Sequence, residues 1–390
     1  MMLMARETAM RLRKIPPYLF ADIEAKVKAK MTQGVDIIDF GIGDPDLPTP
    51  GEIVEELRRQ VGDPANHRYS TSAGEAETRR AVAEWYEGRF GVNLDPDKEV
   101  VITMGSKEGL VDFCRAFVNP GDKVLVPDPA YPVYAQGGTL LSEGVPARVP
   151  LLKSNGFLMD LDSAPTDGKA AFVNYPNNPT AAVATPDYLK NLVKWGRSTD
   201  TIVCYDNAYS EVTFDDYVAP SILQYGRDCI EFGSLSKTFN MTGYRIGYAV
   251  GDAELVAGLK KVKSQVDSGV PRFIQKAAVY ALRMYRGGRW PPQVERNVSV
   301  YQERRDVVTA GLMRMGFKVA PPSATFYIWF DCKERSMDFA NKLLDLGVVV
   351  TPGIGFGDHG EGFIRMSLTQ PVKRIEEALE RMEKAVSPSG

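Results

Sequence analysis

Five short apolar runs, each finishing in polar residues, constrain this chain more than any other feature. They are "EVVITM" (Glu99–Met104), "KVLVP" (Lys123–Pro127), "AAFVNYP" (Ala170–Pro176), "TIVCYD" (Thr201–Asp206) and "CIEFGSLS" (Cys229–Ser236). A strand with one wet face alternates apolar and polar residues; these runs do not, so both faces must be covered. Helical patterns such as Gly51–Gln60 and Glu75–Arg89 alternate with them. That order predicts an α/β fold whose mostly parallel sheet is flanked by helices. At 390 residues the chain exceeds what one hydrophobic core usually holds, so a second domain is expected. The pattern changes after about Gln275, where long helical stretches (Gln293–Met315, Ser336–Leu346, Pro371–Ala385) surround "TFYIWFD" (Thr325–Asp331), "GVVVTPG" and "GFIRMSL". We read residues 46–275 as a large domain and 276–390 as a smaller α+β domain, joined by the N-terminal segment 1–45.

Composition narrows the function classes. A formal net charge of −3 gives no reason to expect nucleic acid or a membrane surface as partner. The first residues, "MMLMARETAMRLRKIPPYLF", are broken by charges and lack the apolar core of a signal peptide, and no run is long enough to span a bilayer. The cysteines (Cys114, Cys204, Cys229, Cys332) lie far apart without paired spacing, which suits a reducing compartment, so a cytoplasmic location is expected. His67 and His359 are the only histidines and neither has a ligand-like neighbour at helical spacing, so no metal site is expected.

In a parallel sheet, ligands bind outside the carboxyl ends of the strands. Here those ends carry Gly105-Ser106-Lys107, Asp128 to Tyr131, Asn177-Asn178, Asp206 to Tyr209 and Ser234 to Lys237. Lys237 lies among small residues with Arg245 downstream; in an apolar pocket near another cation, a lysine loses basicity and becomes an amine able to form a Schiff base. A solvated surface lysine is the plain alternative. Ser234, Ser236 and Arg245 suit a phosphate, and Ser106 with Lys107 opens a helix, as either an ordinary cap or an anion site. Asp206 ends a buried strand, where a carboxylate needs a cation or hydrogen bonds; a pyridinium nitrogen would serve, and so would a turn. Asn178 fits a proline-rich turn equally well, and Tyr131 and Tyr209 fit the core. Arg365 interrupts an apolar run: it is either an outward residue on an edge strand or an inward guanidinium awaiting a carboxylate.

Taken together, the motifs "GIGDPDLPTP", "RYSTSAG", "GSKEGL", "PDPAYPVY", "YPNNPT", "YDNAY", "SLSKTFNMTGYRIGY" and "FIRMSL" stand in the order found in a known family. The chain resembles the fold-type-I, pyridoxal-phosphate-dependent aminotransferases from about Ile15 to Met382. The resemblance implies pyridoxal 5'-phosphate as cofactor, amino acids and 2-oxo acids as substrates, and a homodimer with composite sites. It implies that Lys237 bonds the cofactor, that Asp206 pairs with the ring nitrogen, and that Tyr209 and Asn178 reach the ring hydroxyl oxygen while Tyr131 stacks on the ring. Ser106, Lys107, Ser234, Ser236 and Arg245 would gather round the phosphate, with Tyr69 reaching it from the partner subunit. Arg365 would grip the substrate α-carboxylate, assisted by Asn178 and the backbone at Gly43. Ala181 departs from the glycine usual after "NPT".

A narrower likeness, carried by "KIPPYLFADIEAKV", "VKSQVDSGV", "IQKAA", "ATFYIWF" and "VVVTPGIGFGDHGEGFIRMSLT", is to LL-diaminopimelate aminotransferases of lysine biosynthesis. It implies a substrate contact for Tyr18. It also places Arg272 where a side-chain-contacting asparagine is expected, which would favour a distal carboxylate. In "SAGEAE", Ser72 stands near the position of a specificity glutamate, with Glu75 displaced. An aspartate, glutamate or broad-specificity aminotransferase is the alternative. A lyase on the same fold would use the same Lys237.

Overall fold

The computed structural model describes residues 7–16 and 20–386. Its strands in chain order are β1 (Ile38–Asp39), β2 (Val100–Thr103), β3 (Lys123–Asp128), β4 (Val145–Pro150), β5 (Ala170–Asn174), β6 (Ile202–Asp206), β7 (Ile230–Ser234), β8 (Gly247–Gly251), β9 (Tyr327–Asp331), β10 (Val348–Val349), β11 (Thr351–Pro352) and β12 (Phe363–Ser367). Seven of them form one sheet in the order β2-β8-β7-β6-β5-β3-β4. All run parallel except β8, which is antiparallel to both of its neighbours. Strands β2, β5 and β8 are buried along their whole length, as their unbroken apolar sequences require.

Two strands of this sheet are additions to the sequence reading. β4 pairs with β3 at the edge and is largely open to solvent, so its "VPARVP" sequence carries no continuous apolar signal. β8 is the apolar stretch after Arg245, turned back antiparallel by the short segment that follows Lys237.

A three-stranded antiparallel sheet, β11-β12-β9, and the parallel pair β1-β10 make up the remaining strands. The β1-β10 pairing ties residues 38–39 to the C-terminal part of the chain. The boundary expected after Gln275 falls inside the helix Arg272–Leu282. That helix packs on Gly51–Val61 and Ala76–Phe90, so the chain leaves this helical layer only after Leu282.

Candidate active site

The carboxyl ends of β2, β3, β5, β6 and β7 open into one cleft of about 1290 Å³, closed on its far side by Tyr327, Thr351 and Arg365 from the smaller sheet. Lys237, Asp206, Tyr209, Ser106, Lys107, Tyr131, Asn178, Ser234, Ser236, Arg245, Gly43 and Arg365 all line it. Tyr69 and Arg272 do not. Tyr69 is 84% exposed. Arg272 pairs with Glu75 (Nε to Oε1, 3.2 Å) and donates Nη1–H to the Ala65 carbonyl at 3.2 Å. Tyr18 lies outside the described residues.

One end of the cleft is built for an anion. Gly105, with φ 77°, precedes the helix Ser106–Phe117, whose first amides are free to meet a ligand. Glycine is required there twice over: the left-handed backbone strains other residues, and a Cβ would lie 2.7 Å from Arg245 Nη2. A Cβ at Gly247 would lie 2.7 Å from the Ser106 amide nitrogen. The small residues flanking Lys237 are therefore room for close backbone approach. Arg245 is itself left-handed (φ 53°), and its Nη1–H is donated to the Thr242 carbonyl at 2.9 Å, which aims the guanidinium back to the cup.

In the middle of the cleft stands Asp206, at the end of β6 and 5% exposed. Tyr134 donates its hydroxyl to Oδ2 at 2.7 Å, and the Ala208 amide reaches Oδ1 at 3.3 Å. Burial outweighs both hydrogen bonds and pushes the carboxyl up to about 6. An anion so poorly compensated is a receptor for a cation. Tyr134 was not singled out from the sequence; it is the second tyrosine of "PAYPVY", three residues beyond Tyr131, and stacks on Phe172 at 4.9 Å. Asn174 also emerges: its Nδ2–H is donated to the Asp206 carbonyl at 2.7 Å, and its Oδ1 accepts the Asn178 amide at 2.8 Å.

Lys237 extends from the short helix Leu235–Thr238 and donates Nζ–H to the Gly43 carbonyl at 3.1 Å. Burial lowers its ammonium to about 8; the Asp44 carboxylate opposes that shift, while the Arg365 and Arg245 guanidiniums add to it. The surface-lysine alternative is excluded. Such an amine is neutral often enough near neutrality to act as nucleophile or proton carrier.

At the other end Arg365 sits on β12, the middle strand of its sheet, which rules out the outward edge-strand alternative. It is 6% exposed, and its guanidinium lies 4.4 Å from the Tyr327 ring and 4.8 Å from the Phe356 ring. Nη1 donates to Asn178 Oδ1 (2.9 Å) and Nη2 to the Gly41 carbonyl (2.8 Å), while Nε has no hydrogen-bond partner among the described residues. Among the described residues no carboxylate comes within ion-pair distance of it. Tyr209 and Tyr327 share a hydroxyl contact of 3.0 Å beside it, and a Cβ at Gly43 would collide with the Tyr327 hydroxyl. The cleft thus offers an anion cup, a buried carboxylate, a weakened amine and an unpaired guanidinium in sequence.

The family model for aminotransferase class I and II matches residues 35–382. LL-diaminopimelate aminotransferase of Aquifex aeolicus is 49% identical over 383 residues, covering 96% of this chain and 97% of that protein. The protein of the same name from Desulforudis audaxviator is 49% identical over 384 residues, covering 96% of each. Among solved structures, apo-BacF from Bacillus subtilis superposes with a TM-score of 0.92 at 33% identity, covering 99% of this chain and 100% of that one. Aspartate aminotransferase from Thermus thermophilus with maleate superposes with a TM-score of 0.89 at 30% identity, covering 98% and 100%.

Proposed function

This chain belongs to the aminotransferase class I and II family, and on that premise we propose that it is an LL-diaminopimelate:2-oxoglutarate aminotransferase of lysine biosynthesis. It is a pyridoxal-phosphate-dependent transaminase, acting between amino acids and 2-oxo acids. The single observation that carries an amino-acid substrate is Arg365. A buried guanidinium without an anion is costly, and an incoming α-carboxylate is the bidentate partner it lacks. The narrower substrate rests on the LL-diaminopimelate aminotransferases at 49% identity.

The residues of the cleft fit pyridoxal 5'-phosphate. Asp206, buried with no cation beside it among the described residues, would hold a protonated ring nitrogen. Tyr209 and Asn178 would meet the ring hydroxyl, with Tyr131 against the ring face. Ser106, Lys107, Ser234, Ser236 and Arg245 would take the phosphate, and Lys237 would form the covalent link. When bound, the cofactor supplies an electron sink for the pair released when the substrate Cα–H bond breaks.

Everything else is done by the chain. Arg365, steadied by Asn178 and by the Gly41 carbonyl, fixes the α-carboxylate and so the direction of the Cα–H bond. Lys237 Nζ, as a free amine, would take that proton from the substrate carbon and hold it for return, a role suited to an amine lowered to about 8. Tyr327 and Phe356 wall off water on the Arg365 side.

Tyr69, exposed in its own chain, would reach the neighbouring phosphate across an isologous homodimer. Arg272 would stand at the distal end of that pocket, where its pairing with Glu75 presents both signs of charge to a distal group that is itself a zwitterion. Tyr18, outside the described residues, would contact the substrate, and the enzyme would work in the cytoplasm. A substrate panel tests the proposal: kcat/KM for LL-diaminopimelate with 2-oxoglutarate should exceed that for aspartate by at least about tenfold. Equal or reversed preference would reduce the assignment to an aspartate or broad-specificity aminotransferase.

A further inference from the structure

Lys263 takes no part in the chemistry above, yet it is a cation with 1% exposure. Burying an ammonium is expensive unless it is paired on all sides. Its Nζ is 2.7 Å from Glu108 Oε1 and 2.6 Å from Asp267 Oδ2, and these carboxylates lead in opposite directions.

Glu108 stands in the first turn of the helix Ser106–Phe117, and its Oε2 accepts the Met104 amide at 2.7 Å. It thereby fixes the Thr103–Met104 peptide, one residue before Gly105, where the anion cup begins. The carbonyl of the same Met104 receives Arg245 Nη2 at 3.5 Å. Asp267 caps the helix Ala253–Val266, and its Oδ1 accepts the Gly269 amide at 2.6 Å. Gly269 (φ 89°) lies flat against the Thr71 carbonyl, so closely that a Cβ would collide with it. Thr71 Oγ1 donates to the Gly74 carbonyl at 2.7 Å, closing the turn that begins two residues after Tyr69. Burial first and then the Asp267 carboxylate raise the Glu108 carboxyl to about 7, and the Lys263 ammonium opposes that shift.

We propose that Lys263 is a positioning residue that couples the anion cup to the Tyr69 loop: one buried ammonium sets both the amides that meet the cofactor phosphate and the loop that reaches the neighbouring one. This rests on the composite-site reading given above.

The test is a double-variant cycle on cofactor affinity, measured by titrating apoenzyme with pyridoxal phosphate and following protein fluorescence. Tyr69→Phe and Lys263→Met should each weaken binding about tenfold, and the double variant by less than about thirtyfold, because Tyr69 is already misplaced once Lys263 is gone. A double variant weakened by the product, about a hundredfold, overturns the coupling while leaving the composite site standing. Unchanged affinity in Tyr69→Phe alone overturns the composite site and the coupling with it. Unchanged affinity in Lys263→Met overturns the coupling alone. Asp267→Asn, which releases only the loop arm, must show the same non-additivity with Tyr69→Phe; it carries the test if Lys263→Met does not fold.

Discussion

Arg365 donates Nη1–H to the side-chain oxygen of Asn178 across 2.9 Å, a buried cation satisfied by a neutral amide. The contact steadies the guanidinium without discharging it. An aspartate at 178 would discharge it. Asn178→Asp should therefore raise KM for every amino acid by at least about tenfold, as an internal ion pair now competes with the substrate carboxylate. Steady-state kinetics with glutamate and alanine check this; an unchanged KM for both would remove Arg365 from carboxylate binding. Arg365→Ala should weaken all amino acids alike.

Asp206 is held up to about 6 by burial, against an ordinary value of 3.8. Its folded form binds a proton more tightly than its unfolded form, so apoenzyme stability is lost as pH rises through that window. Apoenzyme of Asp206→Asn should be more stable than wild type above pH about 6, and the gap should close as pH falls towards 3.8. Turnover of the loaded variant should fall at least about a hundredfold, about 2.7 kcal/mol in barrier, as the ring nitrogen loses its anion. Thermal unfolding across that range and a turnover assay check both halves.

Lys237 is shifted the other way, from 10.5 to about 8, by burial first. Between those values the unfolded chain binds more protons than the folded one, so this group makes the apoenzyme gain stability as pH rises. Lys237→Met should be more stable than wild type below pH about 8, with the difference shrinking towards pH 10.5. The same variant should lose the absorbance of protein-bound cofactor. A stability gap independent of pH would mean that Lys237 is not the buried titrating amine.

Ala181 has φ 58°, where a Cβ is strained and glycine is not. Ala181→Gly relieves that strain but adds freedom to the unfolded chain. We expect a net gain of about 0.5 kcal/mol, read as a thermal midpoint higher by about 1–2 °C with unchanged kcat.

Much of this site was legible because its residues break local rules. Lys237, Asp206 and Arg365 each put a charge where the surrounding sequence reads as buried, and glycines such as Gly105 and Gly247 leave space that packing alone would fill. Tyr134 and Tyr327 broke no rule: aromatic residues in apolar runs look like core, and only the hydroxyl partners found in three dimensions set them apart. β4 was hidden because an exposed edge strand has no apolar pattern to read. Arg272 suggested a lone cation awaiting a carboxylate, yet Glu75 lies beside it in the fold, three residues from Ser72 where the acid was sought. Spacing along the chain says little about which charge meets which across two loops.

At this cleft an amino group passes from an amino acid to a 2-oxo acid. The most direct measurement supplies the holoenzyme with LL-diaminopimelate carrying an isotopic nitrogen label on its amino groups, together with unlabelled 2-oxoglutarate, and follows the label by mass spectrometry. We predict labelled glutamate formed mole for mole with the diaminopimelate consumed, and no such transfer in Lys237→Ala. Label released as free ammonia would make the protein a lyase on the same fold. Label retained in diaminopimelate, while aspartate does pass its amino group on, would contradict the substrate assigned here.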